Sequence, residues 1–353
     1  MRTFCTLFDK NYLYQGVALY RSLKRVSESF KLYALCMDTT AYATIEKLKF
    51  DDFVPIRIDE LLDSKISQIR EHTTHGQFCW VCQPLLCEFI LDKHNPDMVT
   101  YLEADSLFFS DPEVLFEELG EKSVSLVPHN FSPGLDHSAT SGQFCVQFNA
   151  FRNNKEAREV LEDWKSWCFK YTKDKPRVYP GQTCLDTWRE RFDCVRVIQH
   201  VGAGVAPWNI QKYTFEVRNA VPHVDGVPIV FYHYHQYGVY EDGWHLLSYY
   251  PLTREVVNFI YGSYIQELKR SERLVRTVDP TFNYRRKYKN NRNLMDLKRA
   301  TTWQEIYEHL RVLRARIRGS LNVFPDEYFS GSLDTEKTRT HSEPDIRQHN
   351  TRT

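Results

Sequence analysis

A chain of 353 residues can form one large or two ordinary domains around a substantial core. With 42% apolar and 26% charged residues its composition is that of an ordinary soluble protein, and no apolar run approaches the roughly 18 residues that a membrane span needs. The formal net charge is zero but unevenly spread: residues 269–318 hold 15 Lys/Arg against 5 Asp/Glu, residues 319–353 hold 4 against 6, and the remaining 27 against 35 leave residues 1–268 acidic, which argues against a nucleic-acid enzyme with a basic cleft.

In chain order, Arg2–Phe8 alternates and stops at Asp9, the pattern of a strand rather than of a signal peptide. Leu13, Val17, Tyr20 and Leu23 recur at helical spacing. Phe30–Met37 reads as a second strand, and Asp38-Thr39-Thr40 caps a helix running to about Lys49. Phe53–Ile58 is a third strand, Leu61–Arg70 and Gln77–Lys93 are helical, and Asp97–Leu102 is a fourth strand running into Glu103-Ala104-Asp105. This alternation implies a parallel sheet with helices on both faces, and ligands of such sheets bind beyond the carboxyl ends of the strands. The second half reads as mixed. Strands are expected at Ser123–Val127, Phe144–Phe151, Cys194–Ile198 and Val227–Tyr234, helices at Asn154–Tyr171 and Gln182–Arg191, with Gly- and Pro-rich loops at Asn130–Gly142 and Val201–Asn209. No linker precedes about residue 270, so residues 1–268 are taken as one domain, 269–330 as a basic helical extension and 331–353 as a disordered polar tail.

Nine cysteines, an odd number set mostly in apolar segments, fit free thiols in a reducing compartment. Cys79-Trp80-Val81-Cys82 has no second CxxC and no suitably spaced His pair, so a zinc site is not expected. The high aromatic content, 21 Tyr and 22 Phe, suits a protein that grips flat sugars and bases and equally suits an aromatic-rich core.

The strongest local signal runs from Thr100 to Pro112. A hydrophobic strand delivers Glu103 and Asp105, two residues apart and therefore pointing the same way on an extended chain. Two carboxylates there can hold a hard divalent cation, which in turn can hold a diphosphate. The same pattern fits two solvated acids opening a turn. His233 and His235 likewise share one face of an expected strand, the pattern of a half-buried edge. Gly202 and Gly204 can let backbone N–H groups approach phosphate, or form an ordinary turn beside a packed Trp208.

Taken together, Phe4–Asp9 with Tyr12, Phe78-Cys79-Trp80, Glu103–Pro112, Phe144–Asn149, Leu185–Trp188, Gln199–Asn209 and Phe231–His235 resemble bacterial nucleotide-diphospho-sugar transferases of the GT-A kind, related to retaining galactosyltransferase-like enzymes. The resemblance covers most of residues 1–265. It implies an α/β GT-A fold, a Rossmann-like nucleotide-binding half fused to a mixed-sheet acceptor half. It implies a metal-dependent hexosyltransferase of cell-surface polysaccharide or lipopolysaccharide synthesis, taking a nucleotide-sugar donor, with UDP expected, to a glycan or lipid-linked acceptor with retention. A catalytically weak sugar-nucleotide or glycan-binding protein on the same fold is the alternative.

On the residues, the resemblance implies Mn²⁺ or Mg²⁺ at Glu103, Asp105 and His235 or His233. It implies a donor site from Thr6, Phe8, Asp9, Tyr12, Trp80, Ala104, Gly202, Gly204, Trp208 and Asn209, with Gln182, Asn149 and Gln147 near the reacting sugar. Two positions depart from the pattern. Glu103 stands where an Asp is expected, and Gly181-Gln182 where an Asp-Gln pair is expected.

The basic stretch 269–318 contains Tyr284–Lys289 and an amphipathic stripe from Trp303 to Ile317. It is expected to lie against an anionic membrane surface or the acidic body. Localisation is expected to be cytoplasmic, with peripheral contact at the inner membrane face, and no nucleic-acid partner is expected.

Overall fold

The computed structural model describes residues 1–171, 180–285 and 320–330. Strand β1 (Arg2–Phe8) leads to helix α1 (Leu13–Val26), β2 (Phe30–Cys36) to α2 (Thr39–Leu48), and β3 (Phe53–Arg57) to α3 (Ser64–Glu71) and α4 (His75–His94), before β4 (Met98–Leu102). The helix starts are written in local chemistry. Asp38 accepts from the backbone N–H of Ala41, Asp63 from that of Ile66, and Thr74 and Gln77 form a reciprocal capping box. These four strands pair in parallel in the order β3-β2-β1-β4, as the alternation of strands and helices requires.

The second half continues with β5 (Ser106–Phe108), α5 (Glu113–Leu119), β6 (Val124–Pro128), α6 (Ser138–Ser141), β7 (Phe144–Cys145), β8 (Phe148–Arg152), α7 (Lys155–Tyr171), α8 (Pro180–Thr183), α9 (Trp188–Arg191) and β9 (Val195–Val197). β8 lies antiparallel on β4 and on β6, and β9 runs parallel to β6, so the main sheet is parallel on one side and mixed on the other. The expected strand Phe144–Phe151 is broken because β7 pairs with the end of β6 while β8 inserts between β4 and β6. Small sheets follow: β10 (Phe215–Arg218), β11 (Val221–Val224) and β12 (Val227–Pro228) form a meander, and β13 (Phe231–His233) pairs with β5. After β14 (Gly238–Val239), β15 (Trp244–Ser248), α10 (Arg254–Val256) and α11 (Gly262–Val278), β16 (Asn322–Pro325) pairs with β15. The expected strand Val227–Tyr234 is likewise split, since β12 and β13 join different sheets.

Strand alternation divides the core in two. Phe4 and Phe8 point into the layer containing α1 and α11, while Cys5 points into the layer of α4 and α7 with Phe78, Trp164 and Trp188. Both faces are covered, which is why these strands read as nearly continuous apolar runs.

The domain boundary expected at 268/269 is corrected, because it falls inside α11. That helix packs on α1 through buried Tyr264, Leu268 and Val275, and its buried Glu267 pairs with Arg21 and Arg25. Tyr284 stacks on Tyr14 at 3.8 Å, and Phe329 buries after β16, so residues 320–330 belong to the body. The stripe Trp303–Ile317, most of Tyr284–Lys289 and the tail 331–353 lie outside the described residues. Among the described residues no helix is long and apolar enough to cross a membrane, and all nine cysteines are free.

Candidate functional site

The strand order places the carboxyl ends of β1 and β4 side by side, and the chain leaves β4 through Glu103, Ala104 and Asp105 straight into β5. Because β5 pairs antiparallel with β13, with Ser106 opposite His233, the acid before β5 must meet the histidine at the end of β13. The backbone fixes this meeting. Tyr234 N donates to Asp105 O at 2.8 Å, and His233 N donates to Val205 O at 2.9 Å. His233 Nε2 then lies 3.1 Å from Asp105 Oδ1, and His233 Nδ1 lies 3.0 Å from Gln147 Oε1. The His235 ring stands 5.7 Å from that of His233. Trp208 sets its ring edge-on to both, and is itself held by donation from Nε1 to His129 O at 2.8 Å.

On the other side of the site, Glu103 reaches helix α4, where Gln83 donates to its Oε1 at 3.0 Å. Glu103, Asp105, His233 and His235 line one cavity together with Trp80, Gln182 and Trp208. Its volume of about 190 Å³ has room for several waters, so it is an open space and not a packing defect.

Electrostatics separate the two acids. Burial raises the Glu103 carboxyl well above its ordinary range, and the charge of Asp105 adds to this. Burial also pushes the Asp105 carboxyl up, but the paired His233 and the nearby His235 outweigh it and hold Asp105 below its ordinary value. Cys79, between Asp9 and Glu103, is pushed up to about 12, first by burial and then by those two charges, so it is no thiolate nucleophile at neutral pH.

Among the described residues no three His, Cys, Asp or Glu side chains are grouped closely enough to hold a metal ion alone. The donors facing the cavity are still of the right chemistry for a divalent cation, carboxylate oxygens and imidazole nitrogen. Mg²⁺-like ions in phosphate sites take one or two protein carboxylates and fill the rest from substrate phosphate and water. The residues therefore fit an ion shared with a diphosphate and do not form a self-sufficient metal cage.

Other expected positions are placed differently. Gln147 and Asn149 are fully buried and do not line the cavity; Asn149 Nδ2 donates to Ser125 O at 3.1 Å. Gly202 and Gly204 are filled from behind by protein. A Cβ on Gly202 would meet Pro228 O at 2.1 Å, and one on Gly204 would meet Gln147 Nε2 at 2.3 Å. Their lack of side chains thus serves close packing. Asn209 is buried and donates to His129 O and Gly204 O, fixing the loop that carries Trp208. Thr6 and Phe8 lie in the interior, and Ala104 packs in the core between the two acids. Asp9 accepts from the backbone N–H groups of Asn11 and Tyr12 and sits 3.4 Å from His75 Nε2, while Tyr12 is exposed at the start of α1.

Sequence reasoning missed Gln83, His129, Phe131 and Tyr250, all of which line the cavity. Gln83 gave one signal, a polar residue on a helix whose neighbours Val81, Cys82, Leu85 and Leu86 are all apolar. His129 is almost wholly buried, stacked on Phe131 at 4.8 Å, and burial first, then the charge of His233, drop its pKa to about 3.

No family model matches the chain. It is 26% identical over 287 residues to the uncharacterized protein YfnD of Bacillus subtilis (strain 168), covering 79% of this chain and 92% of that one. It is 27% identical over 292 residues to the uncharacterized protein YfnF of the same organism, covering 79% and 96%. Solved structures similar to this chain include the galactosyltransferase LgtC in complex with donor and acceptor sugar analogs, at TM-score 0.48 and 15% identity over 78% of this chain and 95% of that one. Mouse xyloside xylosyltransferase 1 is similar at TM-score 0.43 and 11% identity, over 67% and 98%.

Proposed function

We propose that this protein is a glycosyltransferase of the GT-A kind. It takes a nucleotide-diphosphate sugar, with UDP as the first candidate, and transfers the hexose with retention to a glycan or lipid-linked acceptor. The observation that carries this reading is the convergence of Glu103, Asp105, His233 and His235 on one cavity at the carboxyl end of β4. That end adjoins β1, where doubly wound sheets bind their ligands.

In this reading Asp105 and His235, with Glu103, hold Mn²⁺ or Mg²⁺ against the donor diphosphate. The ion would supply charge stabilisation for the departing nucleoside diphosphate. Asp9 and Tyr12 take the nucleoside end, Trp80 and Trp208 wall the sugar, and Gln182 stands nearest the reacting carbon. Trp208 needs no ordering on binding, since His129 O already fixes its ring.

A thermal-shift screen of UDP-, GDP-, CDP- and dTDP-sugars, with and without Mn²⁺, tests this reading. Stabilisation by one donor only with the metal present, followed by sugar transfer or slow donor hydrolysis, is the expected result. No shift with any donor sinks it. Gln182 with no carboxylate before it favours the second reading, a sugar-nucleotide-binding protein without turnover, which binding with no hydrolysis over days would establish. The basic stretch 269–318 is proposed to hold the enzyme peripherally at an anionic membrane face. Lys269 and Arg276 are already ion-paired with Asp326 and Glu272, so the attraction must come mainly from later residues. Sedimentation with anionic vesicles at low and high salt tests it.

A further inference from the structure

We propose that Tyr234 is a positioning residue: it sets where Asp105, His233 and His235 stand by tying the chain between the two histidines to the helix behind it. The inference rests on the function proposed above. The segment is a ribbon with two faces, as alternation along an extended chain requires. His233 and His235 line the cavity, while Tyr232 and Tyr234 are fully buried on the opposite side against Tyr261 and Tyr264.

Two contacts fasten the buried face at Tyr234. Its ring stacks on that of Tyr264 with 3.6 Å between centroids and 9° between planes, and its hydroxyl donates to Ile260 O at 3.0 Å. Ile260 lies in a π turn, Val257–Tyr261, set between α10 and α11, and such wide turns are rare and frequently mark functional sites. Tyr264 is itself fixed, because its hydroxyl accepts from Gln15 Nε2 of α1 at 3.0 Å, and Glu267 one turn further along pairs with Arg21 and Arg25 of that same helix. On the cavity side, Tyr234 N donates to Asp105 O at 2.8 Å. One residue therefore joins the acid and both histidines to α11, and through α11 to α1, which starts directly after Asp9 and Tyr12.

The tie sits where the sheet stops holding the chain. Pairing of β13 with β5 ends at His233, and Gln236 at φ 70° turns the backbone out of extended geometry. Between these two points the side chain of Tyr234 takes over from the ladder. A phenol hydroxyl in an apolar interior costs free energy unless it is hydrogen-bonded, whereas a phenyl ring would fill the same stack without that cost. Tyr232, on the same face, differs in both respects: it lies within the ladder, opposite Leu107, and its hydroxyl meets the hydroxyl of Tyr261 at 3.5 Å rather than a backbone atom. Misplacement of a site by about 1 Å can cost on the order of 100-fold, so a lost tie can weaken the site without unfolding the protein.

The test uses the full chain with Mn²⁺ and inorganic pyrophosphate, the group shared by all nucleotide-diphosphate sugars, and compares Tyr234→Phe with Tyr232→Phe. Each variant removes one buried hydroxyl from the same face of the same segment. Titration calorimetry reads affinity, the zero-field splitting of bound Mn²⁺ in its electron paramagnetic resonance spectrum reads the arrangement of groups around the ion, and thermal melting reads stability. Tyr234→Phe is expected to lose about tenfold in affinity, the low end for outer partners of a metal site, and to change the zero-field splitting. Tyr232→Phe is expected to keep both, whatever either variant loses in melting temperature. Wild-type affinity and splitting in Tyr234→Phe overturn the inference and leave the proposed function standing, Tyr234 then being a core tyrosine only. Weakened affinity with the wild-type splitting overturns it as well, because the groups around the ion would then stand where they stood. Equal losses in the two variants also overturn it, since a general loosening of the segment accounts for them. Absence of Mn²⁺ binding by wild type in the presence of pyrophosphate sinks the metal-dependent reading and the inference together. Should Tyr234→Phe fail to fold, Tyr264→Leu, which removes the stack from the other side, is expected to weaken affinity and shift the splitting; wild-type values there overturn the inference.

Discussion

Gln83 on α4 donates its side-chain amide to Glu103 Oε1 at 3.0 Å, tying the first acid of the site to the long helix on the other side of the sheet's edge. Glu103 is one methylene longer than the acid its motif leads one to expect, and a longer side chain has one more torsion to fix. The amide supplies that fixation and a hydrogen bond to a carboxyl that burial otherwise raises. Gln83→Leu is expected to weaken Mn²⁺-dependent binding of the donor 10- to 100-fold, by the same logic as other outer-shell losses. Titration calorimetry with and without Mn²⁺ measures it, and metal-independent binding of the nucleoside should change far less.

Asp105 carries the larger share of the proposed chemistry. Asp105→Asn keeps the shape and the hydrogen bond to His233 but removes the charge, so the fold should survive with little change in melting temperature. Loss of one charge-stabilising group in a closed site costs several kcal/mol in the transition state, here about 10²- to 10³-fold in kcat/KM for donor turnover. Steady-state kinetics across Mn²⁺ concentrations should show a loss that added metal does not recover.

The parallel half was legible because local and long-range signals agree there. Asp38, Asp63 and Thr74 each cap a helix, and Phe4 and Cys5 alternate into two covered layers. The two acids were legible because they directly follow β4, and the two histidines because one closes β13 and the other stands two residues on. What was not legible is which strand ends meet. The pairing of β5 with β13 joins residues more than 120 positions apart, and nothing in either segment announces the other. Gln83 and His129 were missed because each is a single polar residue in an apolar stretch, and nothing local shows that Gln83 turns toward Glu103 past the next strand or that His129 packs beside the distant Trp208. The boundary near residue 268 was misplaced because charge was followed where burial decides: Glu267 is an acid with 3% side-chain exposure, matched by two arginines of α1.

His129 gives a pH prediction whose sign is fixed by burial. Its folded-state pKa lies at about 3 against an ordinary value of 6.5, so below pH 6.5 the unfolded chain binds a proton that the folded chain refuses. Stability from this group is therefore fully present above pH 6.5 and is lost as pH falls toward 3. At pH 4 the loss is on the order of 3 kcal/mol, from about 1.4 kcal/mol for each pH unit below 6.5. Replacing the ring by an uncharged one of similar shape in His129→Phe keeps the stack on Phe131 and removes the proton uptake. Urea midpoints measured from pH 7 to pH 4 should fall less steeply for His129→Phe than for wild type; equal slopes would place the acid sensitivity elsewhere.

Gly202 and Gly204 separate two physical readings of the loop that carries Trp208. If these glycines exist to let backbone N–H groups reach a phosphate, alanine should weaken donor binding and leave stability nearly intact. The structure leads to the opposite expectation. Gly204 has φ 66°, so alanine there pays about 1–2 kcal/mol for left-handed backbone, and its Cβ would press on the end of Gln147 and on Val127 Cγ1 at 2.7 Å. Gly204→Ala should destabilise by roughly 2–4 kcal/mol, since a side-chain end and a methyl can give way in part. Gly202 has ordinary backbone angles, but its Cβ would meet the carbonyl oxygen of Pro228 at 2.1 Å, and that atom belongs to β12. A backbone oxygen in a strand cannot yield without moving the meander, so Gly202→Ala should cost more than Gly204→Ala and show up as poor folding. Urea unfolding of both variants, alongside Mn²⁺-dependent donor binding by whatever fraction stays folded, decides between the readings: the packing account requires Gly202→Ala to be the less stable of the two, with donor affinity per folded molecule nearly unchanged.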